Sequence, residues 1–315
     1  LVPGIGGSVL KGFVNHDPLV PLPHSFCTRK STSTEIMWLE PKKLLPMIID
    51  CLMFDLSFSW NGDHLIPRDD VKVTVDFPSL SSVEYIAPMT ITHPWSSYFH
   101  SIIADLKSVG LKEGEQLFAA PYDWRHLPTA DNWFGKTKKL IEDAYFKNNG
   151  TRVILVSHSM GCPWAFALLM SQSIEWRTKF IDTFVPIAPV WTGTSLSFYG
   201  LIVGYAFGLP LSTFTSSSFS RTIPSVYFLL PDPIFFGDDM TLIRTPNPNS
   251  TASDLPTLLR DKLNVSWAEK VVEEARAILD PLEYQTPDGL EVGWARSGGL
   301  SRLECIASCS EGARG

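Results

Sequence analysis

The sequence predicts a doubly wound α/β domain, and three observations carry that expectation. The run RVILVS, Arg152 to Ser157, has the unbroken apolar character of a strand buried inside a parallel sheet. It stands in an alternation of strand-like and helix-like segments, the pattern of βαβ units. The 315 residues are 44% apolar and 19% charged, enough for a large core and incompatible with disorder, collagen or coiled coil. At roughly 150 residues per domain the length suits two units, or one α/β domain with excursions.

In chain order, Val71, Val73 and Val75 alternate with Lys72, Thr74 and Asp76, which predicts a half-buried strand at the edge of a sheet. Tyr98, Phe99, Ile102, Ile103, Leu106 and Val109 follow helical spacing, predicting a helix over 96–109 that stops at Gly110. A short strand follows over 116–120. A helix over 131–146 turns Trp133, Leu140, Ile141, Ala144 and Tyr145 inward and ends at Asn148-Asn149-Gly150. After RVILVS come a helix over 160–173 and a strand over 180–187. Between Thr183 and Ser220 the chain carries no Asp, Glu, Lys, Arg or His, and Gly200, Gly204 and Gly208 fall four apart. A transmembrane dimer helix would look similar, but the apolar run 196–211 is shorter than the roughly 20 residues a span needs and ends near Pro210. It reads as an apolar lid or membrane-docking segment, with core packing as the alternative. Ser266 and Glu269 form a capping-box pattern ahead of an amphipathic helix to Leu279.

The net charge of −7 and pI near 5.5, with no cation cluster longer than Lys138-Lys139, exclude a nucleic-acid partner. Of the five Cys, Cys162, Cys305 and Cys309 lie near a turn or in the tail, whereas Cys27 and Cys51 either close one loop or are two buried thiols. A bridge there would contribute about 3 kcal/mol on the chain-entropy model. With acceptor sequons at Asn149, Asn249 and Asn264, the pair favours a secretory or lysosome-like lumen.

The chemistry concentrates in SHSMG, Ser157 to Gly161, directly after the buried strand and before a helix. A nucleophile elbow needs that context, because the serine must project its hydroxyl from the carboxyl edge of the sheet on a strained turn. Small residues two before and two after let neighbouring backbone approach; here they are Ser157, where Gly is usual, and Gly161. Ser159 is therefore the candidate nucleophile, and the Met160 N–H, at the start of the following helix, a candidate oxyanion donor. Leu1-Val2-Pro3-Gly4-Ile5-Gly6-Gly7 resembles the turn that supplies a second donor, with the Ile5 N–H in that place. A dinucleotide loop is excluded, since its third Gly would fall on Val9, and His93 and His100 lack partners at metal-ligand spacing, so neither cofactor nor metal is expected. Asp123 and Arg125 in APYDWR read as a buried ion pair that fixes a loop.

LVPGIGG, the 27–51 loop containing Trp38-Leu39, SVEYIAP (82–88), APYDWR (120–125), SHSMG and APVWTGT (188–194) occur in the order that resembles lecithin:cholesterol acyltransferases. The likeness extends to lysosomal phospholipases A and phospholipid:diacylglycerol acyltransferases and covers roughly residues 1–292. It implies an α/β-hydrolase fold in which a serine acyl-enzyme moves a fatty acyl group from phospholipid to a sterol, another lipid alcohol or water, at a peripheral membrane surface. By position it implies Ser159 as nucleophile, Met160 and Ile5 as oxyanion donors, and a Cys27–Cys51 disulfide bracketing a membrane-binding subdomain with Trp38 and Leu39 as lipid contacts. The expected organisation is a hydrolase core over 1–292, with an insertion at about 20–95 and a lid at about 191–250, in a secreted, lysosomal or vacuolar protein.

In this fold the triad order is Ser, Asp, His. The seven His are His16, His24, His64, His93, His100, His126 and His158, and none follows Ser159. His158 should point away from the serine hydroxyl, and His126 is a remote alternative base. Gly237-Asp238-Asp239 mimics the acid motif but lies too early. The chain opens as if a strand were entered at its last residues, and residues 293–315 read as a foreign or disordered tail. The expectation is thus a core lacking its C-terminal part and a nearly inactive chain. A catalytically dead lipid- or membrane-binding pseudoenzyme is the alternative.

Overall fold

The computed structural model describes residues 1–88, 90–205, 209, 211–237, 240–244 and 249–283, with side chains of the last helix described as far as Ile278. Two small antiparallel units come first. β1 (Leu10–Val14) lies between β2 (Glu35–Trp38) and β5 (Val71–Thr74), and β3 (Phe58–Trp60) pairs with β4 (Leu65–Pro67). The alternation seen at residues 71–75 therefore marks a sheet edge, as expected. Cys27 and Cys51 are joined in a disulfide that ties the loop between β1 and β2 to the helix Ile48–Leu56.

A buried histidine knits these pieces together. His16 Nδ1 lies 2.7 Å from Asp70 and its Nε2 2.9 Å from Asp55, while Arg68 donates twice to Asp70. Burial pushes the Asp55 carboxyl up to about 6, against the hydrogen bond and charge of His16.

The parallel sheet holds the site. β6 (Val153–His158) pairs in parallel with β7 (Ile181–Ile187). On its other side β6 meets Val2: the Val2 N–H donates to Val156 O at 2.8 Å and the His158 N–H to Val2 O at 3.0 Å. Leu1 in turn donates to Phe118 O and accepts from the Ala120 N–H, both at 2.8 Å, the staggered pattern of a parallel pair. The strand expected over 116–120 is thus too short to be regular but is paired, and the order across the sheet is 118–120, 1–3, β6, β7.

Helices Trp133–Lys147 and Gly161–Met170 pack on β6, with the expected turn after the first carrying positive φ at Asn149 and Gly150. The RVILVS run is buried on one face only among the described residues. Leu155 and Ser157 face the core, whereas Ile154 is 59% exposed. Unbroken apolarity alone does not distinguish one covered face from two.

Three other expectations shift. The helix expected over 96–109 starts at His100, because residues 97–99 bend to bury Phe99 against Ile103 and Leu117. The apolar stretch after Thr183 yields two short helices, Ser195–Ile202 and Thr213–Ser220, that pack on each other; Gly208 and Pro210 lie outside the described residues. No described helix is long and apolar enough to cross a membrane. The final helix runs Ala268–Glu283, but Glu269 does not cap it: its carboxylate accepts from Arg260 at 2.6 Å, since a guanidinium offers a charged donor where the backbone offers a neutral one. Asp238, Asp239 and the tail 293–315 lie outside the described residues.

Candidate active site

Ser159 occupies the junction between β6 and the helix Gly161–Met170 with φ +54°, a left-handed value that non-glycine residues adopt at a cost of about 1–3 kcal/mol. Two backbone bonds hold it there: the Ser159 N–H donates to Ile187 O and the Cys162 N–H to Ser159 O, each at 3.0 Å. Close approach explains the small neighbour on the helix side. A β-carbon on Gly161 would overlap the Pro3 carbonyl oxygen and lie 2.8 Å from that of Val2. Ser157 is fully buried, and its hydroxyl has no hydrogen-bond partner.

The turn of residues 4–7 packs directly on this junction. A methyl group on Gly4 would stand 2.8 Å from Ser159 Cβ and 3.3 Å from its Oγ. The turn closes through the Gly7 N–H on Gly4 O at 3.0 Å, and Gly6 has φ +69° at the third position, where turns with a left-handed residue favour glycine. Neither the Ile5 N–H nor the Met160 N–H finds a partner among the described residues. Ser159 and Met160 thus lie against the turn that carries Ile5, and neither the Met160 nor the Ile5 N–H is taken by another described group.

His158 faces away. Its Nδ1 lies 2.6 Å from the Tyr98 hydroxyl, its ring packs edge-on against Tyr98 and Phe99, and burial holds its pKa below the ordinary histidine value. His126 has its Nε2 3.6 Å from Asp123 and 3.9 Å from Asp131 and its ring against Phe58. It lines a cavity of about 240 Å³ with Tyr122, Trp133 and Trp164, and burial holds its pKa low. Arg125 grips Asp123 with two side-chain donors in the interior and donates to Leu56 O; although burial opposes it, the Arg125 charge holds the Asp123 carboxyl below the usual range. The APYDWR pair fixes a loop, as its sequence suggested.

Trp38 and Leu39 point inward. Leu39 is 3% exposed, and the half-buried Trp38 donates from Nε1 to Gly6 O at 2.8 Å while packing edge-on against Trp124. Sequence reasoning missed this bond and also the role of Tyr98, counted there as one more apolar helix position.

A family model described as lecithin:cholesterol acyltransferase matches residues 33–296. The chain belongs to the lecithin:cholesterol acyltransferase family. Among curated relatives, lysosomal phospholipase A and acyltransferase of Homo sapiens is 30% identical over 266 residues, 83% of this chain and 63% of the relative. The Mus musculus protein of that name is 29% identical over 298 residues, 93% of this chain and 70% of the relative. Phosphatidylcholine-sterol acyltransferase of Mus musculus is 29% identical over 83% of this chain and 59% of its own length. The chain therefore spans a little under two thirds of several lecithin:cholesterol acyltransferase family members that it matches. The family model begins within the disulfide loop and takes in the elbow, so Ser159 and Met160 fall inside the matched span and Ile5 outside it.

Proposed function

We propose that this chain carries the acyl-enzyme half of a lipid acyltransferase or phospholipase A built on an α/β-hydrolase core. In this reading Ser159 Oγ attacks the ester carbonyl of a phospholipid, its proton passes to a general base, and the carbonyl oxygen becomes an oxyanion held by the Met160 and Ile5 N–H groups. Collapse expels the lysolipid alcohol, and a lipid alcohol or water then takes the acyl group from Ser159. The observation that carries the reading is the pairing of a left-handed serine at a strand–helix junction with two unpartnered backbone donors. The names of the relatives supply the lipid substrate class.

The same reading divides the chain into a core over 1–292, an insertion at about 20–95 and a lid at about 191–250, in a secretory, lysosomal or vacuolar lumen. The disulfide and three exposed sequon asparagines support the compartment. A peripheral membrane surface would meet Phe26, Leu45 and Met47 beside the disulfide, together with Phe214, which is 79% exposed on a helix joined to the Ile48–Leu56 helix by Thr215 and Asp50.

No His follows Ser159 in residues 1–315, while His158 meets the Tyr98 hydroxyl and His126 faces Asp123. Residues 1–315 alone are therefore expected to react slowly, since triad enzymes without their base keep only about 10³–10⁴-fold of their acceleration over water. That observation also favours a second reading, a lipid-binding pseudoenzyme. An alkyl fluorophosphonate separates the two. Slow labelling that Ser159→Ala abolishes supports the acyl-enzyme; labelling that persists in Ser159→Ala overturns it, and vesicle binding with no labelling at all favours the binder.

A further inference from the structure

The turn that presents the Ile5 N–H is short, contains three glycines and has one internal hydrogen bond, Gly7 N–H to Gly4 O. Glycine-rich backbone has many accessible conformations, so a single bond does not fix the direction of one N–H. Two aromatic side chains from elsewhere in the chain grip this turn. On one side the Trp38 indole donates to Gly6 O at 2.8 Å. On the other the Tyr98 hydroxyl accepts from the Gly4 N–H at 2.8 Å and lies 2.6 Å from His158 Nδ1. A hydroxyl has one proton, and since the Gly4 N–H is the donor in the first contact, that proton is free to go to His158. Burial pushes the Tyr98 phenol up to about 12, so it keeps the proton, and burial keeps His158 neutral and able to accept. Tyr98 is thereby bonded to the turn and to the residue before Ser159 at once. Its ring also fills the space beside Gly7, where a β-carbon would come within 2.7 Å of it.

We propose that Trp38 and Tyr98 are positioning residues, clamping the 4–7 turn against the elbow so that the Ile5 and Met160 N–H groups serve one oxyanion. The clamp rests on the assignment of Ser159 as nucleophile only for its consequence in catalysis; its geometry is independent of it. Trp38 lies inside the loop closed by Cys27 and Cys51, so the disulfide-bounded excursion is bonded directly to the turn beside Ser159.

Tyr98→Phe removes the bonds to the Gly4 N–H and to His158 Nδ1, Trp38→Phe removes the bond to Gly6 O, and each leaves an aromatic ring in place. In the full chain, amide exchange at Gly7 is expected to accelerate about tenfold or more in each variant, and at Gly4 in Tyr98→Phe, with the Val2 amide, bonded to Val156, unchanged. The ¹⁵N shift of His158 Nδ1 should move in Tyr98→Phe alone. The saturating rate of Ser159 labelling by an alkyl fluorophosphonate should fall about 10- to 100-fold with the half-saturating probe concentration unchanged, less than or equal to the loss on deleting an oxyanion donor. Unchanged Gly7 exchange in both variants, with unchanged Gly4 exchange in Tyr98→Phe, overturns the clamp, whether or not the probe reacts. Accelerated exchange with an unchanged labelling rate confines it to structure and overturns the positioning role. Labelling that survives Ser159→Ala overturns the nucleophile instead, and leaves the exchange result standing.

Discussion

The elbow, residues 157–161, and the turn of residues 4–7 lie so close that one methyl group would fill the gap, yet they are held by different means. The elbow is local. Its strand, its left-handed serine and its helix follow one another along the chain, and its fit depends on a missing β-carbon at Gly161 against the backbone of residues 2 and 3. The first turn is held from a distance, by Trp38 and Tyr98, 32 and 94 residues from their bonding partners. An active-site element whose shape is set by adjacent residues survives changes elsewhere; one set by long-range side-chain bonds inherits the stability of the region those side chains come from.

That contrast is broken most directly at Gly161. Gly161→Ala drives a β-carbon into the Pro3 carbonyl, a collision with backbone that no rotamer relieves. The expected loss is about 3 kcal/mol or more by urea unfolding, and a loss below about 1 kcal/mol would show that the strand of residues 1–3 does not press on the elbow.

The distant region has a pH dependence of its own. Asp55, bonded to His16 beside the small antiparallel sheet, is raised from 3.8 to about 6 when folded, with burial the largest cause. The folded state therefore binds this proton more tightly than the unfolded state. Stability from this group is complete at low pH and is lost as pH rises from about 4 to about 6, by at most about 3 kcal/mol. The thermal midpoint of the full chain should fall over that window, and Asp55→Asn should flatten the fall. A midpoint that instead rises steadily from pH 4 to 6 in both proteins would contradict the assignment.

A smaller effect sharpens the local side of the comparison. Ser159→Gly relieves the left-handed φ at the elbow and should raise stability by about 1 kcal/mol while abolishing labelling, the sign expected where strain is kept for a reactive side chain. Equal or lower stability would mean that the junction is not strained by its serine.

Legibility followed the same division. The β6 strand, the helix after it and the small residue at Gly161 could be read because strand–turn–helix chemistry is written in consecutive residues. The Asp123–Arg125 pair was readable for the same reason, with partners two positions apart. Tyr98 was not: in a helical pattern it counts as one apolar position among several, and nothing along the chain says that its hydroxyl meets Gly4 and His158. Resemblance makes Trp38 a lipid contact and says nothing of its indole N–H, which is bonded to Gly6 O. Glu269 matched a capping pattern, and Arg260, nine positions before it, took its carboxylate.

By itself the sequence determined the family, the α/β alternation and the serine at the strand–helix junction, because each is encoded by residue type and spacing within a few turns of chain. Tertiary structure alone decided which distant side chains hold the turn of residues 4–7 and what His158 bonds to. Those choices depend on hydrogen bonds between residues far apart in sequence, whose directions arise only when Trp38 and Tyr98 meet the turn beside the parallel sheet.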